Sequence, residues 1–509
     1  MFTMNEIKKI VRIVTNRVKK NVSLIDVVNN GDNPGKEQQL FNSIQSGVYT
    51  TDDDAAFGMY GTNGTDQRYR MLKSRLRTKL NNLLYFADFN DSRGNISFPF
   101  EQECHSHIFR AKILYKEGEY ELAEKSIKKA LTISKESEFT DLTLIGLKML
   151  RIIYSESFRP NHLRKAIGQI KKYEVINRLE EESLDIFYLK WMQLGKSVHS
   201  RKVHLESTIK AVEVLRKLWE KGGSYALFEN YYRLRLWTNE LLGDYSSVVA
   251  ITEEAYDLVN KGAVNPLRFD MRHHVYTRTY ACLRAKDYDK GIKYAEEGMN
   301  HISRSSRNWF SHMENYVLLA LHNKNYLLAD EVISQVTRNP YVDKISTQSK
   351  ERWELYKGYL YFIMPDRNVE DVLSFKDIYE RLPFYSQDKQ GFMVAILILE
   401  FMDFLKKDRL DLALTKLPNS ERYIYRYLNQ NPESQREKLF LKLISIIVQC
   451  SFNPDMAAKK GKRYLERLKI TPEPGDAFAE VEIVPYEQLW DILMGFMTNA
   501  HVKLDFAKK

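Results

Sequence analysis

The sequence predicts an all-α protein: a stack of helical hairpins behind a small helical N-terminal region. Three observations predict it. The stretch 116–131, KEGEYELAEKSIKKAL, reads as the second half of a helical hairpin, with a tight Gly118-Glu119 turn, an aromatic at Tyr120, a small Ala123, then Ile127 and Ala130 at helical spacing. Variants of that stretch recur down the chain. Glycine and proline are scarce, 22 and 13 in 509 residues, which favours long helices over a protein of strands and turns.

The first hundred residues differ from the rest. Ile7, Ile10, Val11, Val14 and Val18 fall on one helical face, so residues 6–20 read as a helix with lysines and arginines opposite. Asn29, Asn30, Gly31, Asp32, Asn33, Pro34 and Gly35 form a breaker. The next helix, KEQQLFNSIQSG, turns Leu40, Phe41 and Ile44 inward and stops at Gly47. Thr51 caps DDDAAFGMYG, whose Asp52, Asp53 and Asp54 suit a helix N-terminus. After a break at Gly61-Thr62-Asn63-Gly64, Asp66 caps a long helix, QRYRMLKSRLRTKLNNLLYF. There Tyr69, Leu72, Leu76, Leu80 and Leu83 make a buried stripe, and Arg68, Arg70, Lys73, Arg75, Arg77 and Lys79 lie outside it. Residues 88–95 read as a polar turn.

Repeats follow from about residue 101 to 340. The residues expected to open each second helix are Tyr120, Leu163, Leu205, Tyr245, Tyr288 and Tyr326, about 38–43 residues apart. A small residue stands three positions after several of them: Ala123, Ala166, Gly291 and Ala329. Divergent helical pairs occupy 341–470. Trp353, Tyr356 and Tyr359 mark one first helix, 371–382 its partner, 391–405 and 410–417 a second pair, and 438–450 with 456–468 a third. Residues 471–509 hold a proline-broken acidic segment, 472–485, expected to be extended, and a closing helix, 486–504.

Hydrophobic content of 44% and charged content of 28% are those of a soluble globular chain. A single compact core does not extend to this length, but a repeat array does, because each unit packs on its neighbours. The 31 tyrosines and 25 phenylalanines supply rings large enough for the gaps between stacked helix pairs. Net charge is +10, which permits an acidic partner, nucleic acid included. Cys104, Cys282 and Cys450 are too far apart for a disulfide framework or a CxxC site, so a reducing cytoplasm is the expected compartment. Residues 1–20 lack the apolar core and cleavage site of a signal peptide, and the longest apolar run, 392–399, is too short to span a bilayer, so no membrane contact is expected.

The stretch 116–131 resembles the second half of a tetratricopeptide repeat, whose G-x-Y-x-x-A-x-x-x-[FI]-x-x-A pattern is matched by Gly118, Tyr120, Ala123, Ile127 and Ala130. Later units keep parts of it: Tyr288 with Gly291, Ala295 and Gly298, and Tyr326 with Ala329 and Ile333. After Gly243-Asp244-Tyr245, Val248 stands where the small residue belongs. The resemblance implies a right-handed α-solenoid with a concave, peptide-binding face, and no enzyme. A second resemblance covers residues 36–98, which are similar to the winged-helix DNA-binding domain of bacterial response regulators. The S-R-L-R-x-K-L of that family's recognition helix is matched by Ser74, Arg75, Leu76, Arg77, Lys79 and Leu80, and Tyr60-Gly61 stands where the family has Trp-Gly. The strands that precede the first helix in that family are replaced here by the helix of residues 6–20. A wing is expected within 85–98, and Tyr69, Leu72, Leu76 and Leu80 are expected to pack on Leu40, Phe41, Ile44 and Phe57. A winged helix joined to such repeats resembles certain bacterial transcription activators.

Two functions are therefore expected from different classes. The first is a non-enzymatic scaffold that binds another protein or peptide in its concave groove, with Tyr232, Arg233, Arg235, Arg278 and Tyr280 as exposed groove residues; tyrosine and arginine dominate binding hot spots. The second is a regulator that binds duplex DNA through Arg68, Arg70, Lys73, Arg75, Arg77 and Lys79, a set able to neutralise several phosphates. The competing reading of those six is a solvated face around a leucine stripe. Cys104, His105 and His107 lie close in sequence but would not converge from one helix, and His273-His274 reads as a pair of ordinary helix residues, so no metal is expected. Phosphate-loop, dinucleotide, zincin and nucleophile-elbow motifs are missing, so no cofactor and no catalytic residue is assigned.

Overall fold

The computed structural model describes residues 3–18, 35–87, 95–195, 198–364, 391–407, 409, 435–471 and 482–507. The sequence-predicted segments 371–382, 410–417, 88–94 and most of 472–485 lie outside the described residues. Among the described residues the fold is all-α, and the isolated antiparallel bridge Val18–Ala87 is the sole β pairing. No helix among them is long and apolar enough to cross a membrane. The chain divides into two compact units, Met1–Gly168 and Gln169–Lys509.

The first unit begins with four helices: α1 (Met4–Arg17), α2 (Lys36–Gln45), α3 (Asp52–Tyr60) and α4 (Gln67–Leu84). The expected caps are present. Thr51 accepts from Asp54 N in a capping box, Asp66 accepts from Arg68 N and Tyr69 N, and Gly61 closes α3 in the left-handed region. The leucine stripe of α4 is buried to within 3% exposure and packs with Ile7, Val11 and Val14 of α1 and Leu40 and Ile44 of α2. Two expectations are corrected. Phe57 is 73% exposed; the α3 contacts to the core come from buried Ala55 and Ala56, with Met59 and Tyr60 packed at its edge. Val18 ends α1 in extended backbone and bridges to Ala87 instead of continuing the helix.

Three further helices complete most of the unit: α5 (Phe98–Lys116), α6 (Tyr120–Glu136) and α7 (Thr140–Glu156). Each packs on the next, and α5 also touches α7. A long helix, α8 (Pro160–Gly195), follows, and the boundary between the units falls within it. Leu163 lies in its first turn. The hairpin break expected before Leu205 is displaced: α8 runs uninterrupted to Gly195, and Leu205 lies inside α9 (Val198–Gly222). The segment between is rich in Glu, Lys, Leu and Ile, with no proline to stop it.

The second unit continues with α10 (Tyr225–Leu242), α11 (Tyr245–Asn260), α12 (Met271–Ala285), α13 (Tyr288–Gly298), α14 (Arg307–His322), α15 (Tyr326–Thr337) and α16 (Thr347–Ile363). Its last elements are α17 (Gly391–Lys406), α18 (Gln435–Gln449), α19 (Pro454–Ile470) and α20 (Tyr486–Ala507). From α10 to α16 every helix packs on its sequence neighbour, and α12 also packs on α14.

The turns explain the repeated tyrosine. Tyr120, Tyr245, Tyr288 and Tyr326 each open a helix. Before each comes a residue with positive φ: Gly118 (80°), Gly243 (72°), Lys286 (61°) and Lys324 (57°). Next comes Glu119, Asp244, Asp287 or Asn325, with φ between −82° and −91° and ψ between 65° and 73°. Its N–H donates to the carbonyl five residues back: Leu114, Asn239, Cys282 and Ala320, at 2.9–3.0 Å. That is a Schellman closure, which satisfies a carbonyl left over at the end of the preceding helix. Glycine takes the left-handed position without strain; lysine bears about 1 kcal/mol there. The small residues one turn later are buried. At Gly291 a Cβ would come within 2.5 Å of Leu319 Cδ2 and 3.0 Å of Cys282 Cβ, so α13 lies against α12 and α14 on bare backbone. Val248 is fully buried at the equivalent place in α11, so the larger side chain is accommodated.

Candidate functional site

Of the five residues expected in a concave groove, two are buried. Tyr232 is buried, stacked on Phe228 with ring centroids 5.4 Å apart and its hydroxyl 3.3 Å from His274 Nδ1. Arg278 is 4% exposed; its guanidinium lies 3.7 Å from the ring centre of Tyr294 and 3.0 Å from Glu297. The expectation that these two are exposed is corrected. Both point into the packing between helices, where a ring or a ring-sandwiched guanidinium fills space that leucine cannot. Arg233 is exposed, over the rings of Phe187 and Trp191. Arg235 pairs with Glu254 at 2.7 Å. Tyr280, half-buried, stacks on Tyr276 with an interplanar angle of 6°.

Tyr276 leads to the site that sequence reasoning missed. It lines a cavity of about 360 Å³ in the second unit. Three helices line much of it: α12 with Tyr276, α14 with Ser311, Glu314, Asn315 and Leu318, and α16 with Arg352, Tyr356 and Tyr359. The rest comes from Ala395 of α17, Glu437 of α18, and the strap Glu482–Val484 that leads into Tyr486 of α20. The strap is held firmly. His322 Nε2 donates to the Glu482 carbonyl at 2.6 Å, and Gln488 donates to the His322 carbonyl at 2.8 Å. Buried Arg436 reaches Glu482 at 2.6 Å and Glu487 at 2.8 Å and donates to the carbonyls of Leu468 and Thr471.

Within the cavity Arg352 faces Glu314, Nη2 to Oε1 at 3.3 Å and Nε to Oε2 at 3.2 Å. Burial nevertheless raises the Glu314 carboxyl above its ordinary range, against the pull of Arg352. Asn315 is 7% exposed, and its side chain hydrogen-bonds to the Tyr276 hydroxyl. Burial also pushes up the Tyr276 hydroxyl. The lining thus offers aromatic faces and paired charges, which suits recognition of a polar ligand. A signal for it was present in the sequence. Glu314 and Asn315 interrupt SHMENYVLLALH, a helix whose other residues are nearly all buried.

The six basic residues of α4 lie along a helix whose opposite side is the leucine stripe. Lys73 is drawn to Asp52 at 2.6 Å, an oxygen that also accepts from the Tyr69 hydroxyl at 2.7 Å. Lys79 and Arg75 meet Glu37 at 2.5 and 3.3 Å, and Arg68 meets Asp66 at 3.0 Å. Arg70 and Arg77 are exposed, each engaged with neighbouring groups. The wing expected after α4 falls largely on residues 88–94, outside the described residues.

Cys104 is buried, with its thiol pushed up to about 12 by burial and its S–H directed to the Ala130 carbonyl at 3.5 Å. His107 is buried on the same helix and His105 is exposed. His274 is buried, which lowers its pKa to about 3 and keeps it neutral. Among the described residues no three His, Cys, Asp or Glu side chains come together as metal ligands. Compared with known proteins, the chain matches no family model, no curated protein and no solved structure.

Proposed function

We propose that the protein is a non-enzymatic scaffold of the cytoplasm, whose second unit is a right-handed, tetratricopeptide-like α-solenoid that holds a segment of a partner protein. The observation that carries this is the cavity on α12, α14 and α16. α12 and α14 are first helices of hairpins, the ones that line the inner face of such an array. The repeated tyrosine turns support the same architecture. The three cysteines are free and buried, which suits a reducing compartment. The test is affinity capture from host extract with the intact chain, wild type against Ser311→Trp. Ser311 is exposed at the cavity, so the indole fills the space without entering the core. Loss of captured partners, with an unchanged melting profile, is expected; an identical set of partners would sink the proposal.

A second reading, a DNA-binding regulator, is favoured by one observation. α2, α3 and α4 pack as a three-helix group with the arginines of α4 on its outside. The surface ion pairs to Glu37 and Asp66 are cheap to exchange for phosphate. In this reading the intact chain binds duplex DNA with an affinity that falls steeply with salt, and Arg75→Ala with Arg77→Ala lowers the salt slope by about 2. Salt-independent or absent binding would remove it.

A further inference from the structure

The part of α8 that belongs to the second unit, from Gln169 to Gly195, has one unused face. It packs on the unit through Leu179, Ser183, Phe187 and Leu194, which are buried. On the opposite side Lys171, Val175, Arg178, Glu182, Asp185, Leu189 and Met192 are exposed. Their spacing alternates four and three residues, the seven-residue repeat that keeps one seam of a helix turned toward a partner helix. Val175, Leu189, Met192 and neighbouring Tyr188 are each more than half exposed, a concentration of apolar surface that marks a contact with another chain. The charges along this face are sorted by sign. Lys171, Lys172 and Arg178 occupy the first part, where the one acid, Glu174, is already engaged with neighbouring groups. Glu181, Glu182 and Asp185 follow, and Lys190, the one base beyond them, turns aside to Ser207 on α9. Among the described residues Lys171, Arg178, Glu182 and Asp185 form no ion pair. A parallel copy of such a helix would set like charge against like. An antiparallel copy sets each basic part against an acidic one, which is the self-complementarity that a twofold interface requires.

We infer that this face of α8 is a dimerisation surface, and that its occupant is α8 of a second copy of the chain, run antiparallel about a twofold axis. With Arg178 opposite Glu182 of the second copy, the stem of Lys171 lies along Leu189 and the ammonium of Lys172 reaches the ring of Tyr188, each contact occurring twice. A single helix seam with this much charge gives a dimer of modest affinity that weakens as salt rises. The inference is independent of the scaffold reading. It is tested by sedimentation velocity of the intact chain over a concentration series reaching a hundred micromolar, where the wild type should pass from monomer to dimer. Lys171→Glu with Arg178→Glu turns the face acidic, and Glu182→Lys with Asp185→Lys turns it basic. Each double variant alone should dimerise at least tenfold more weakly than the wild type. Their equimolar mixture should recover a dimer at least as tight as that of the wild type, a gain that a misfolded variant cannot produce. In the antiparallel pair the two copies of residue 189 lie several helical turns apart, so Leu189→Cys should give no disulfide-linked dimer on oxidation; a linked one would show a parallel pair and overturn the inference. A wild type that stays monomeric throughout the series would overturn it too, as would a dimer indifferent to both double variants or a mixture that recovers nothing.

Discussion

Helix α4 in the first unit and the cavity walls in the second are built from the same pairings, arginine or lysine against carboxylate. On α4 some are exposed: Arg75 is 61% accessible where it meets Glu37. Around the cavity they are buried: Arg436 is 3% accessible and holds Glu482, Glu487 and two carbonyls at once. In water such a pair is screened and contributes little. Inside, its attraction is stronger, and the loss of either partner strands a charge. The comparison teaches that a count of basic residues locates possible contacts but not the charges that matter for the fold or for selectivity. Those are set by depth, which the composition does not report.

The largest effect should therefore come from the buried hub. Arg436→Met leaves Glu482, Glu487 and the carbonyls of Leu468 and Thr471 without their donor, and should destabilise the second unit by about 3–5 kcal/mol in urea unfolding. A loss below about 1 kcal/mol would show that the strap does not depend on it. The next effect concerns packing. Gly291→Ala should cost about 1–3 kcal/mol, because its Cβ meets Leu319 at 2.5 Å, whereas Gly168→Ala, with open space around it inside α8, should stabilise by about 0.5–1 kcal/mol. Equal effects at both glycines would refute the close approach of α13.

Glu240 sharpens the contrast in carboxylates. Burial lifts its pKa from 4.5 to about 7. The folded state then holds the proton more tightly than the unfolded chain. Stability from this group is full below pH 4.5, declines as pH rises from 4.5 to about 7, and is level above that. Glu240→Gln should flatten this slope and raise stability at pH 8 by on the order of 1–2 kcal/mol, allowing for its partial exposure. An unchanged pH profile would mean that water reaches the carboxylate. The smallest effect belongs to α4. Arg75→Ala with Arg77→Ala should change melting stability by less than about 0.5 kcal/mol, so that any loss of DNA binding in the same variant reports contact and not unfolding.

Much of the fold was legible. Period and capping determine local structure, and local structure was read well: Thr51 and Asp66 cap their helices, Leu72, Leu76 and Leu80 are buried, and the four tyrosines open theirs. Leu205 was misplaced because α8 carries no breaker before Gly195 and runs on to it. The site was scarcely legible. Arg278 and Tyr232 have the composition of a binding surface, yet helical spacing alone does not say which side of α10 or α12 meets a neighbour. Nor does it bring together Tyr276, Asn315, Arg352, Glu437 and Glu482, which are widely separated along the chain.

The sequence by itself determined what depends on neighbours three, four or five residues away: the helices, their caps, their buried stripes and the Schellman turns that reverse the chain. Each of these is settled by backbone hydrogen bonds and side-chain spacing within one or two turns. Only the tertiary structure decided which polar residues end in water and which in the interior. Arg75 and Arg436 are the same residue on similar helices. One guanidinium is 61% accessible on α4; the other is 3% accessible because α19 and the Glu482 strap close around it. That difference arises from desolvation, a property of the assembled helices that no stretch of the chain possesses alone.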